Sequence, residues 1–209
     1  MESATQKIEP SSFIGSVGFI ELRPNLLEAA DRLVCCPNLV VAFPTPSFHW
    51  WIPNSSKSEV FKTLGPAYQT GRLLGEILSK RGFPQAIVAT VISSARALQV
   101  IGASRLCLLQ FAVIKANSTQ VTDDNIFSLH RDYDISNPGW MITRLVQVIV
   151  GAPTIWCKKE GEQTALFTLP TPHAVIFNSS FRRGPLHTSP LLESYRVILI
   201  GTLFPRSYN

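Results

Sequence analysis

An α+β fold is predicted, with a partly helical first half and a β-rich second half that closes as a sandwich or barrel. Three observations predict it. From Arg105 onward the apolar runs are short, rich in β-branched residues and punctuated by turn residues. No βαβ alternation breaks up those runs. Before residue 100, by contrast, the long apolar stretches carry helical spacing. With 209 residues, 45% hydrophobic and 16% charged, the chain suits a single domain that can bury a sizeable core. Residues 1–100 read as a flank and support, and residues 101–209 as the core domain proper.

Taken in order, Ser16 to Glu21 and Asn38 to Phe43 are short and β-prone. The run Phe48-His49-Trp50-Trp51-Ile52, between Pro46 and Pro53, is too aromatic for a solvated loop and is expected to pack on the core, His49 included. Ser56 to Gly82 reads as a helix. Ser56-x-x-Glu59 has the form of a capping box, and Val60, Leu64, Ala67, Leu74, Ile77 and Leu78 largely keep helical spacing. Pro66 would kink it or split off its first turns, and Gly82 then Pro84 would stop it. Ile87 to Gln99, rich in alanine, is a second helix. Strands follow at Arg105 to Lys115, Trp140 to Val150, Thr154 to Lys158, Leu166 to Leu169, Ala174 to Asn178 and Tyr195 to Phe204, with a turn at Lys159-Glu160-Gly161-Glu162.

Composition removes several function classes. The net charge is +5, with lysines and arginines scattered and no basic run beyond Lys158-Lys159 and Arg182-Arg183. Nucleic-acid binding needs a concentrated basic face, so it is not expected; a mild positive bias suits anionic small molecules. Cysteines at 35, 36, 107 and 157 form no Cys-x-x-Cys pair, and Cys107 and Cys157 read as buried thiols. Met1 to Ser12 has no basic segment followed by an apolar one, and no apolar run reaches 18 residues. A cytosolic, reduced protein with no membrane partner is the expectation.

The chemistry centres on His130-Arg131-Asp132. His130 and Asp132 are separated by one residue, so on extended chain both side chains point to one face. His187 follows 55 residues after Asp132, and Arg196 nine residues after His187, in the apolar run Tyr195-Arg196-Val197-Ile198-Leu199-Ile200. Two imidazoles and one carboxylate are the facial ligand set that holds Fe(II) and leaves open positions. An arginine buried in an apolar strand needs an anion, and its fork suits a carboxylate. His173 is a rival third ligand. The triplet with Asn137 also fits the kinase pattern His-Arg-Asp-x-x-x-x-Asn, but no Asp-Phe-Gly follows between 138 and 209, and the upstream glycine loop and strand lysine lack their companions.

The order His-x-Asp…His…Arg resembles the Fe(II)- and 2-oxoglutarate-dependent dioxygenases, including prolyl-hydroxylase-like members, over about half of the chain, from Arg105 to Phe204. Leu169-Pro170-Thr171-Pro172-His173 looks like the turn of that family and Ala174 to Asn178 like its next strand. Two departures stand out: His173 where the family often has glycine, and Ile198 where some members carry the serine of an Arg-x-Ser motif.

The resemblance implies a double-stranded β-helix, a jelly-roll or cupin-like core with N-terminal flanking helices. It implies iron held by His130, Asp132 and His187, and Arg196 on the distal carboxylate of 2-oxoglutarate. O2 would be the second co-substrate, with release of succinate and CO2. Asp132, where related halogenases carry a small residue, speaks against chloride ligation. Hydroxylation is the default outcome, with desaturation or ring closure open to the same centre. Thr143 and Gln147 share a strand face by period two and are expected to hydrogen-bond a carboxylate, and Trp140, Arg182 and Arg183 to line the substrate mouth. The substrate expected is a small molecule such as an amino acid or natural-product intermediate; the oligomeric state is not legible. A cupin-type metalloenzyme without 2-oxoglutarate, or a non-catalytic β-sandwich binding module, stand as alternatives.

Overall fold

Two β-sheets face each other, and a layer of helices covers the outer side of the larger one. This computed structural model describes residues 18–21, 26–35, 39–46, 48, 58–102, 105–115, 130–160, 163–169, 173–189 and 195–205. In chain order these hold β1 (Gly18–Glu21), α1 (Leu26–Cys35), β2 (Leu39–Pro44), β3 (Glu59–Pro66), α2 (Ala67–Lys80), α3 (Gln85–Ile101) and β4 (Leu106–Ile114). Then come β5 (Ile142–Val150), β6 (Ile155–Glu160), β7 (Gln163–Thr168), β8 (His173–Ser179), β9 (Leu186–Thr188) and β10 (Arg196–Leu203). The larger sheet runs β1-β2-β8-β5-β10-β4-β3 and the smaller β7-β6-β9. All pairs are antiparallel except β1 with β2. The fold is the expected double-stranded β-helix with a helical flank.

Because both faces of the larger sheet are covered, its central strands are apolar on both sides and lack a polar alternation. On β5 and β10 the odd-numbered Leu145, Ile149, Val197, Leu199 and Leu203 pack with Leu74 and Leu78 of α2 and Val91, Ala95 and Leu98 of α3. The even-numbered Val146, Val148 and Ile198 face the smaller sheet, packing with Trp156, Val175 and Phe177. Each such fully buried side chain stabilises the fold by about 1.5–3 kcal/mol. Cys107 and Cys157 are buried thiols, and burial pushes Cys107 up to about 12. No helix among the described residues is long and apolar enough to cross a membrane.

Three sequence expectations need correction. Residues 59–66 are an edge strand, not the start of a helix, paired along its length with β4. Pro66 breaks the helical reading, because a residue before proline is driven out of the α region; Gly65 meets this at φ 152°, a value open to glycine. Val60 and Leu64 kept helical spacing by coincidence and are exposed on the strand's outer side. The short strand β9, which carries His187, is absent from the expected strands. Lys159 and Glu160 belong to β6, while 161–162 fall outside the described residues, as do His49 to Ile52. Phe48 does pack against the helix-side core.

α2 ends where expected. Gly82 adopts φ 80°, and the Phe83 N–H donates to the Leu78 carbonyl. The two helices then pack unusually close, since a Cβ added at Gly71 would lie 2.3 Å from Ala95 Cβ. Gly71→Ala should therefore destabilise the protein despite alanine's better helix propensity. Forcing the helices apart costs about 1–3 kcal/mol, and propensity returns at most about 1. Thermal denaturation should show the melting temperature lowered by a few degrees; a value at or above that of the parent would show that the helices separate freely.

Candidate metal centre

The trio is assembled by backbone pairing. His130 forms an isolated antiparallel bridge with His187, each N–H donating to the other's carbonyl at 2.9 and 3.0 Å. β9 in turn pairs with β6, His187 opposite Trp156. Residue 130 thus extends the smaller sheet, and the single-residue step to Asp132 returns the carboxylate to the same side. One ligand atom from each of His130, Asp132 and His187 lies within 4.8 Å of the others. Asp132 Oδ1 is 4.0 Å from His130 Nε2, and Oδ2 is 3.4 Å from His187 Nε2.

The His187 ring is held between aromatic neighbours, Trp156 at 5.0 Å and Phe177 at 5.5 Å between centroids. Its Nδ1 faces the Pro185 carbonyl at 3.4 Å. A proton on Nδ1 leaves the Nε2 lone pair for the centre, the usual way an outer partner sets a ligand histidine's tautomer. His130 stacks beside it, with centroids 4.7 Å apart. Burial alone would raise the Asp132 carboxyl, but the Arg144 guanidinium and the His187 ring more than offset this and hold it well below the usual carboxylate range. Asp132 is therefore an anion at neutral pH. Two neutral nitrogens and one carboxylate oxygen in this spacing fit a divalent first-row metal with open positions.

Arg196 is 1% exposed. Its Nη1 donates to Ser189 Oγ at 2.6 Å and its Nη2 to Thr154 Oγ1 at 2.7 Å, while the buried Nε has no hydrogen-bond partner. Burial pulls its pKa down to about 10, so it remains a cation at neutral pH. Ser189 stands two residues beyond His187, and Thr154 two before Trp156, the register partner of His187, so the two hydroxyls that hold the guanidinium lie along the strands next to the trio. Thr154 also lines a small recess open to solvent, together with Val146, Val148, Trp156, His173 and Val175. A buried cation held only by two neutral hydroxyls among the described residues suits a small anion.

The other expected site residues fall in two groups. Thr143 and Gln147 do share a face of β5, but it is the helix side. Thr143 Oγ1 donates to Asn178 Oδ1 and accepts from Arg105, and Gln147 Oε1 accepts from Ser94 Oγ on α3. Their expected contact with a carboxylate is withdrawn, because the recess and the trio lie on the opposite face. Trp140, Arg182 and Arg183 lie on two loops that clasp each other beside the trio. The Phe181 N–H donates to the Pro138 carbonyl, Tyr133 and Phe181 stack edge-to-face at 5.3 Å, and Arg131 Nε donates to the Gly184 carbonyl. Trp140 is half-buried; Arg182 and Arg183 are exposed. His173 lines the recess and is not in the trio. Arg144, Thr154, Trp156, Phe177 and Ser189 were not anticipated. Only Arg144 carried a signal, as a charge at the start of an apolar strand.

No family model matches the sequence, and no curated protein matches it. Among solved structures the chain is similar to a 2-oxoglutarate complex of dioxygenase for auxin oxidation 1 from Arabidopsis thaliana, at 10% identity over 92% of this chain and 94% of that one, with a TM-score of 0.45. It is similar to an oxidoreductase of the 2OG-Fe(II) oxygenase family from Burkholderia pseudomallei, at 12% identity over 90% and 95%, TM-score 0.45. A Pseudomonas putida prolyl-4-hydroxylase shares 11% identity over 74% and 77%, TM-score 0.42.

Proposed function

We propose that the protein is an Fe(II)- and 2-oxoglutarate-dependent oxygenase that oxidises a small molecule. The observation that supports this reading most is the juxtaposition of two features. His130, Asp132 and His187 bring their ligand atoms within 4.8 Å of one another, and the buried cation Arg196, its Nε without a hydrogen-bond partner among the described residues, is held by Ser189, two residues beyond His187, and by Thr154 of the recess. A metal site alone would serve a cupin-type enzyme equally well; an arginine with only neutral hydroxyl partners among the described residues favours a carboxylate co-substrate.

In this reading the trio holds iron, which supplies oxygen-activating redox chemistry when bound. Arg196, steadied by Ser189 and Thr154, grips the far carboxylate of 2-oxoglutarate and fixes the direction in which its keto-acid end points. Val146, Val148, Trp156 and Val175 keep water from the co-substrate's methylene chain. Trp140, Arg182 and Arg183 line the mouth, where they would meet the substrate. Hydroxylation is the outcome such a centre gives by default.

The test is succinate formation. Purified protein with Fe(II), ascorbate, O2 and 2-oxoglutarate should release succinate slowly, and faster when pools of small carboxylic and amino acids are added. Release that is indifferent to Fe(II), or none with any pool while iron is bound, would overturn the 2-oxoglutarate assignment.

A further inference from the structure

Arg144 touches the trio in a way that the proposed reaction does not use. It is the third residue of β5, on the same side as Val146 and Val148. Its Nε lies 3.1 Å from Asp132 Oδ2, off the N–H axis but close enough for an ion pair. Its Nη1 donates to Thr202 Oγ1, and Thr202 is its register partner on β10. The guanidinium is thus anchored to the larger sheet at one end and meets the carboxylate at the other. Asp132 sits on the segment that leaves the smaller sheet after residue 130, where no strand pairing fixes its side chain.

We infer that Arg144 is the positioning residue of this centre, engaging Oδ2 of Asp132 so that Oδ1 is left for the cation. The inference rests on the metal-centre reading above. Two effects oppose each other. A guanidinium repels an incoming dication, and it also holds the carboxylate in the pose the dication needs. Both side chains are mostly buried, 19% and 17% exposed, so the repulsion is only partly screened. The orientation is not screened, and loss of an outer partner of this kind typically weakens metal binding about 10- to 100-fold.

A purely structural Arg144 would tie β5 to β10 and leave cation affinity untouched once the protein has folded. Titration of the full-length protein with Co(II) alone, without co-substrate or turnover, separates the two roles through the dissociation constant and the Co(II) visible spectrum. Arg144→Met should raise the constant about tenfold or more and alter the spectrum, with circular dichroism unchanged. Thr202→Val, which keeps the guanidinium and removes its anchor, should shift both in the same direction by less. Equal constants for parent and Arg144→Met would overturn the positioning role and leave the metal centre standing. Should Arg144→Met fail to fold, Thr202→Val decides, and a parental constant there overturns the role as well. A parent protein that binds no Co(II) would sink the metal-centre reading and this inference with it.

Discussion

Asp132→Ala protein should be soluble, give a near-native circular dichroism spectrum, retain no Fe(II), and form no iron-dependent succinate. The loss of metal follows from the ligand set: two neutral imidazoles remain, and neither supplies the negative charge that a hard, divalent cation requires. The survival of the fold needs a separate argument, because Arg144 loses its anion. Leaving a fully buried charge alone is strongly destabilising, but the Arg144 side chain is 19% exposed and keeps its bond to Thr202. The cost should stay near that of one charge-assisted contact, about 1–3 kcal/mol, lowering the melting temperature by several degrees. The apolar core on both faces of the larger sheet is untouched. Metal content, spectrum and succinate should be measured on one preparation. Full turnover by this variant would reduce the triplet to an ordinary segment of chain.

How far the sequence carried depended on which physical signal each element sends. Strands β4, β5, β8 and β10 were legible within a few residues, since β-branched runs between turn residues have few other readings. The helix α3 was legible from its alanines despite its valines. β3 was not, because an edge strand with one exposed side imitates helical spacing over two turns; the restriction that Pro66 places on Gly65 was the overlooked signal. The trio was legible because His-x-Asp is a period-two statement, and period two holds wherever the chain is extended. The same rule placed Thr143 and Gln147 together correctly and then failed to say which side they face. Leu145 and Ile149 on one side of β5, and Val146 and Val148 on the other, are all buried. With both faces apolar, the pattern contains no inside or outside. Only the packing of α3 against Gln147, through Ser94, decides it. Arg144 was hidden by the same ambiguity: on the recess side it is a partner for Asp132, and on the helix side it would have been a liability.

Arg196→Lys should raise the apparent Michaelis constant for 2-oxoglutarate about tenfold or more while leaving Fe(II) retention at the parental level. The arginine reaches Ser189 and Thr154 with its two terminal nitrogens at once, which fixes the plane of the fork and leaves Nε as a further donor. An ammonium is a point charge on a flexible stem. It neutralises the anion, yet it can neither keep both hydroxyls nor offer two parallel N–H groups to a carboxylate. Losing one charge-assisted hydrogen bond of the pair costs about 1.5–3 kcal/mol, and about 1.4 kcal/mol is already a factor of ten in affinity. The metal ligands are not among the atoms that Arg196 touches, so iron content is the internal control. A second control is ligand-induced stabilisation, in which 2-oxoglutarate raises the melting temperature of the iron-loaded parent and raises it much less in the variant. An unchanged Michaelis constant, with iron bound, would remove Arg196 from the co-substrate site. Among the described residues its burial would then rest on Ser189 and Thr154, two neutral hydroxyls for one cation at 1% exposure, which is the arrangement that desolvation makes hardest to sustain.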